Sequence, residues 1–92
     1  QSKRNNNEHR LVSVFGKAVT SFDCAVNLVI VKTIPGLAPA CASAIDSLDF
    51  PEVLGTIAGD DTIFIAARSA ILANHLMERM KELTEEVRDS ED

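Results

Sequence analysis

Leu54-Gly55-Thr56-Ile57-Ala58-Gly59-Asp60-Asp61-Thr62-Ile63-Phe64-Ile65 decides the fold. Two apolar runs rich in β-branched residues flank a Gly-Asp-Asp segment, and glycine with aspartate is turn chemistry. The stretch therefore predicts a β-hairpin, with strands over 53–58 and 62–67 and two adjacent carboxylates at its tip. Gly55 inside the first of these strands costs β stability, so a close approach of backbone or ligand is its expected use.

The acid pair has three readings. Asp and Gly serve hairpin turns without further purpose. A divalent metal also takes carboxylate oxygens, but it needs more oxygen or histidine ligands, and no cluster at ligand spacing accompanies Asp60 and Asp61. A cationic organic ligand is the third: a guanidinium presents a planar fork of donors that matches carboxylates. Successive strand residues point to opposite faces, so on extended backbone the two acids would not readily grip one ligand from one subunit. A symmetric oligomer removes that difficulty, one aspartate serving the chain's own ligand and the other a neighbour's.

Upstream of the hairpin, strands are predicted over 18–24 and 28–33 with a turn at Ala25-Val26-Asn27. Leu28-Val29-Ile30-Val31 is continuously apolar, as expected of a strand covered on both faces. Helices can cover one face of a two-layer domain, so the other calls for a partner subunit. Pro35-Gly36 ends that strand, and a helix follows from Leu37 or Ala38 to Leu48, with Leu37, Cys41, Ala44, Ile45 and Leu48 on one stripe. Pro39 fits a first turn, where its missing N–H costs nothing. The last helix runs over 70–88, with Leu72, Leu76, Met80, Leu83 and Val87 inward and Glu78, Lys81, Glu82, Glu85 and Glu86 outward. His75 reads as a helix-surface residue. The order is ββαββα: a four-stranded antiparallel sheet with two helices on one face, an α+β two-layer sandwich.

Residues 1–10, polar and turn-prone, read as the remnant of an interdomain linker, and 11–92 as the domain. Leu11 to Phe15, interrupted by Gly16-Lys17, is open between a short helix and a strand extension. A chain of 92 residues buries only a small core, which makes oligomerisation an expected source of stability. The net charge of -5 argues against this chain gripping DNA by itself. Cys24 and Cys41 form neither a disulfide framework nor a CxxC pair, and no apolar run is long enough to span a membrane, so a reduced cytoplasmic compartment is expected. Cys41, among small apolar residues, reads as a packing residue. No nucleophile with a positioned base is recognisable, and no enzyme is expected.

The hairpin string from Val53 to Ile63, preceded by Lys32-Thr33-Ile34-Pro35-Gly36 and Ala44-Ile45-Asp46-Ser47-Leu48, resembles the C-terminal domain of the bacterial arginine repressors over about residues 18–88. The resemblance implies trimers and dimers of trimers with L-arginine bound between trimers, no metal or other cofactor, and control of arginine metabolism genes. It also implies a basic winged-helix DNA-binding domain before this one, so that DNA is a partner only through a part absent from this sequence. By the resemblance, Asp60 and Asp61 receive the arginine, Thr56 and Ala58 line its pocket, Asp46 is a further acid near it, and Ala38 belongs to the turn at the helix start. That turn, 36–40, is expected to offer amides to the ligand's α-carboxylate. Here the sequence departs from the pattern: the family shows Pro-Gly-x-Ala-Gln, whereas this chain has Pro35-Gly36-Leu37-Ala38-Pro39. Proline supplies neither a side-chain amide nor an N–H, so weaker or altered arginine binding is expected. Some members act in hetero-oligomers with a paralogue and sense arginine poorly alone, and a purely structural oligomerisation module is the alternative function.

Overall fold

A computed structural model describes residues 6–90. The elements run α1 (Asn6–Ala18), β1 (Val19–Ala25), β2 (Leu28–Thr33), α2 (Ala38–Leu48), β3 (Val53–Ala58), β4 (Thr62–Ala67) and α3 (Ala70–Ser90). The four strands form one antiparallel sheet in the order β1-β2-β4-β3, two hairpins joined through their second strands. The α+β architecture and the ββαββα succession are as expected, with one addition. An extra helix, α1, precedes the first strand. It begins at Asn6, within the stretch read as a linker remnant; residues 1–5 lie outside the described ones.

The added helix explains how so small a sheet acquires a closed core. Val12, Phe15 and Ala18 of α1 are buried, and the Phe15 ring meets Phe22 of β1 at 6.1 Å between centroids. Gly16, which looked like an interruption, permits a close crossing: a Cβ there would stand 2.6 Å from Cβ of Val87 on α3. Arg88 then fastens the same corner, its Nε donating to Gly16 O at 3.1 Å and its Nη2 to Val19 O. Midway along α3, Arg79 pairs with Glu52 and lies 4.8 Å over the Phe50 ring, which ties the loop before β3 to the helix.

Strand periodicity sets which residues reach this core. Val29 and Val31 of β2 and Ile63 and Ile65 of β4 are fully buried beneath α2 and α3. The stripe of α2 is inward as expected, with Cys41, Ala44 and Ile45 buried and Leu37 and Leu48 half-buried. Burial raises the Cys41 thiol from 9.0 to about 11, which keeps it neutral and unreactive at physiological pH. A register shift between Val19 and Ser21 in β1 lets Val19 and then Phe22 both face inward.

As expected of a two-layer domain, the chain's own helices cover one face of β2 only: Leu28 and Ile30 are half-buried on the outer side, where Ile57 is 75% and Phe64 50% exposed. The helices all pack on the other side, so the outer face stays open. Of the two uses expected of Gly55, a close approach of backbone or of ligand, the first is not made within the chain. A Cβ there meets nothing within 4 Å, and the glycine instead follows a register shift between Val53 and Gly55, a bulge position.

The Gly16 crossing has a testable consequence. Gly16→Ala should destabilise the domain by about 1–3 kcal/mol through overpacking against Val87, although alanine is the better helix former. Thermal denaturation of the two proteins checks this. A variant as stable as the parent, or more so, would show that α1 and α3 do not approach this closely.

Candidate functional site

The hairpin tip is held by main-chain hydrogen bonds before any side chain is considered. Gly59 N–H donates to Thr62 O at 2.8 Å and closes the turn between Ala58 and Ile63. Thr33 N–H donates to Asp61 O at 2.8 Å, extending the β2–β4 ladder into the turn. Asp60 O accepts from two amides of the β2–α2 connection, Gly36 at 3.1 Å and Ala38 at 3.2 Å. Asp60 and Asp61 are bend residues rather than strand residues, so the strict alternation of strand side chains does not govern them.

This arrangement uses within the chain most of the amides that the turn at 36–40 was expected to present to a ligand carboxylate. The amides of Gly36 and Ala38 are taken by Asp60 O, that of Leu37 by Ile34 O, and Pro39 has none. The turn is used to grip the acid hairpin. Gly36 makes the grip possible: its φ of +88° is a conformation that side chains resist.

With their carbonyls captured, both aspartates leave their carboxylates at the exposed tip. Asp61 Oδ1 accepts from the Thr62 hydroxyl at 3.0 Å, and Thr62 Oγ1 in turn accepts from Lys32 Nζ at 3.1 Å. No side chain among the described residues is bonded to the Asp60 carboxylate. Sequence reasoning singled out neither Lys32 nor Thr62; the signal is the register, which sets Lys32 of β2 directly opposite Thr62 of β4.

The other candidate residues fall into two groups. Asp46 of α2 and Thr56 of β3 are brought together, the Thr56 hydroxyl donating to Asp46 Oδ1 at 3.1 Å. Ala58 lies two residues beyond Thr56 on the same side of the strand, about 7 Å along it and next to the tip. Ala38 is fully buried and takes part through its amide alone. The row from Asp46 through Thr56 and Ala58 to Asp60 and Asp61 thus carries acid at both ends, with small residues between. Among the described residues no group of three or more His, Cys, Asp or Glu is placed to hold a metal ion, and no helix is long and apolar enough to cross a membrane.

The family described as "Arginine repressor, C-terminal domain" matches residues 15–82, the span that contains all these residues. The chain belongs to this family. It is 52% identical over 75 residues to the arginine repressor of Acetivibrio thermocellus, covering 82% of this chain and 49% of that protein. The arginine repressor of Caldicellulosiruptor bescii is 53% identical over 76 residues, 83% of this chain and 50% of that protein. That of Clostridium tetani is 44% identical over 82 residues, 89% and 54% respectively. The chain therefore spans about half the length of the curated relatives it matches. These relatives are named as repressors, so the arginine repressor family is one of transcription regulators rather than enzymes.

The amide grip on the hairpin generates a prediction. Gly36→Ala places a side chain in open space but at positive φ, so its cost is backbone strain, about 1–2 kcal/mol. Chemical denaturation measures it. A gain in stability, the usual result of Gly→Ala at negative φ, would contradict the left-handed turn.

Proposed function

We propose that this chain is the ligand-sensing and assembly domain of an arginine-responsive transcription regulator. Asp60 and Asp61 bind the guanidinium of L-arginine between subunits. The chain forms trimers that pair into hexamers, and DNA is reached through a winged-helix domain in the other half of the intact protein, which acts in the cytoplasm on arginine metabolism genes.

The observation that carries the reading is the acid hairpin itself. Its main chain is fixed by three amides from β2 and the β2–α2 turn while the carboxylates stand exposed, Asp60 without a described partner. A planar cation with several donors satisfies two neighbouring carboxylates better than an ammonium does. The half-open outer face, with Leu28, Gly55, Ile57, Phe64 and Ala66 around one apolar depression, supports self-association, since a domain of this size gains core by pairing. Coupling between the two follows from electrostatics. Carboxylate pairs gathered at a subunit boundary repel one another, and a ligand cation that neutralises them shifts the population towards the assembled state.

A second reading, an assembly module that does not sense arginine effectively, is favoured by one specific feature. Pro39 and the internally used amides of Gly36, Leu37 and Ala38 leave few donors at the helix start for the ligand's α-carboxylate. A hetero-oligomer with a paralogue that supplies the missing contact is compatible with that reading.

Calorimetric titration separates the two. L-Arginine should bind the chain, with L-citrulline and L-lysine at least about tenfold weaker because one loses the charge and the other the fork. Asp60→Asn with Asp61→Asn should weaken arginine by a similar factor or more. Absence of arginine binding would leave the assembly module, and equal binding by the double variant would remove the aspartates from the site.

A further inference from the structure

We propose that Lys32 is an internal counter-cation, held to the Asp61 carboxylate through the Thr62 hydroxyl, which sets how strongly assembly depends on ligand. The proposal rests on the reading of the aspartate pair given above and deepens it.

The relay is continuous: Lys32 Nζ donates to Thr62 Oγ1 at 3.1 Å, and Thr62 Oγ1 donates to Asp61 Oδ1 at 3.0 Å. Its geometry is set by the backbone. Lys32 and Thr62 are direct partners in the β2–β4 register, and the next ladder bond, Thr33 N–H to Asp61 O, fixes Asp61 beside them. On the other side of β2, Lys32 stands opposite the neutral Ser21 of β1, while the acid of that strand, Asp23, stands opposite Ile30 and accepts from the Cys24 amide.

The consequence is that the two aspartates are not equivalent. Asp61 is oriented and sits one hydroxyl away from a resident ammonium, whereas no described side chain is bonded to the Asp60 carboxylate. With Lys32 in place, each hairpin brings less than two full negative charges to a subunit boundary, and ligand-free chains repel one another less. The ligand cation then has less repulsion to relieve. A neutral residue at position 32 would raise the repulsion between free chains and so widen the difference that the ligand makes.

The test is sedimentation of the whole chain with and without saturating L-arginine, for the parent, Lys32→Met and Lys32→Arg. Lys32→Met keeps the length and apolar stem and removes the charge. It should weaken ligand-free association and increase the ratio of association constants with and without arginine by about threefold or more. Lys32→Arg should restore the parental ratio, which a loss of packing at this position would not do. Circular dichroism establishes that each variant is folded. In the Asp60→Asn, Asp61→Asn background Lys32→Met should no longer change the ratio.

An unchanged ratio for Lys32→Met, in a chain whose arginine response is abolished by the aspartate substitutions, would overturn the counter-cation while leaving the aspartate site intact. An arginine response that survives the aspartate substitutions would overturn the site and the counter-cation with it. So would a parental chain of one size with and without arginine.

Discussion

The capture of the Asp60 and Asp61 carbonyls by the amides of Thr33, Gly36 and Ala38 is the constraint on which the rest of this structure depends. It joins the two hairpins at the place where β2 hands over to α2, and it gives the acid turn a fixed platform. Two neighbouring carboxylates on a free loop would swing apart to lower their repulsion. Here the backbone cannot follow, because moving it would leave the amides of the buried residues Thr33 and Ala38 without acceptors. The sheet register, the left-handed Gly36 and the start of α2 all serve one outcome, a pair of negative charges presented at a defined point.

The second organising fact is the one-sidedness of the sheet. Three helices close one face, and Gly16 lets α1 and α3 come near enough for Phe15 to complete the core. The other face keeps Ile57 and Phe64 in solvent. A protein of this length has little apolar surface to spare for water, and the exposed patch adjoins the strands that bear the acid tip. In the proposed assembly, apolar attraction and carboxylate repulsion would act on neighbouring surfaces with opposite sign. A balance of that kind is readily tipped by a small cation.

Much of this was legible in the sequence because it obeys local rules. The two strands of the acid hairpin and β2 have the expected limits, since β-branched runs bounded by Gly, Asp and Pro-Gly leave few alternatives. The stripes of α2 and α3 follow from helical spacing. What escaped was tertiary. Gly16 looked like a break in a short apolar run, and only the position of Val87, far along the chain, shows that it is a crossing point. The amides of the 36–38 turn looked available to an anion because their acceptor, Asp60 O, is a main-chain atom with no sequence signature. Lys32 and Thr62 were passed over for the same reason: they become neighbours of Asp61 through the register of β2 on β4. Asp46 and Thr56, in contrast, were singled out together by family likeness and do meet. Gly55, expected at a close approach of backbone or ligand, meets no backbone of its own chain and follows a bulge.

The central claim is that a ligand cation at the Asp60–Asp61 hairpin drives subunits together. Sedimentation velocity of the chain across a series of L-arginine concentrations, beside the Asp60→Asn, Asp61→Asn variant, tests it most directly. The account predicts that arginine shifts the parental chain to a larger species, and that the variant, relieved of its carboxylate repulsion, reaches its final size without regard to arginine. A parental chain whose size is the same at every arginine concentration would contradict it.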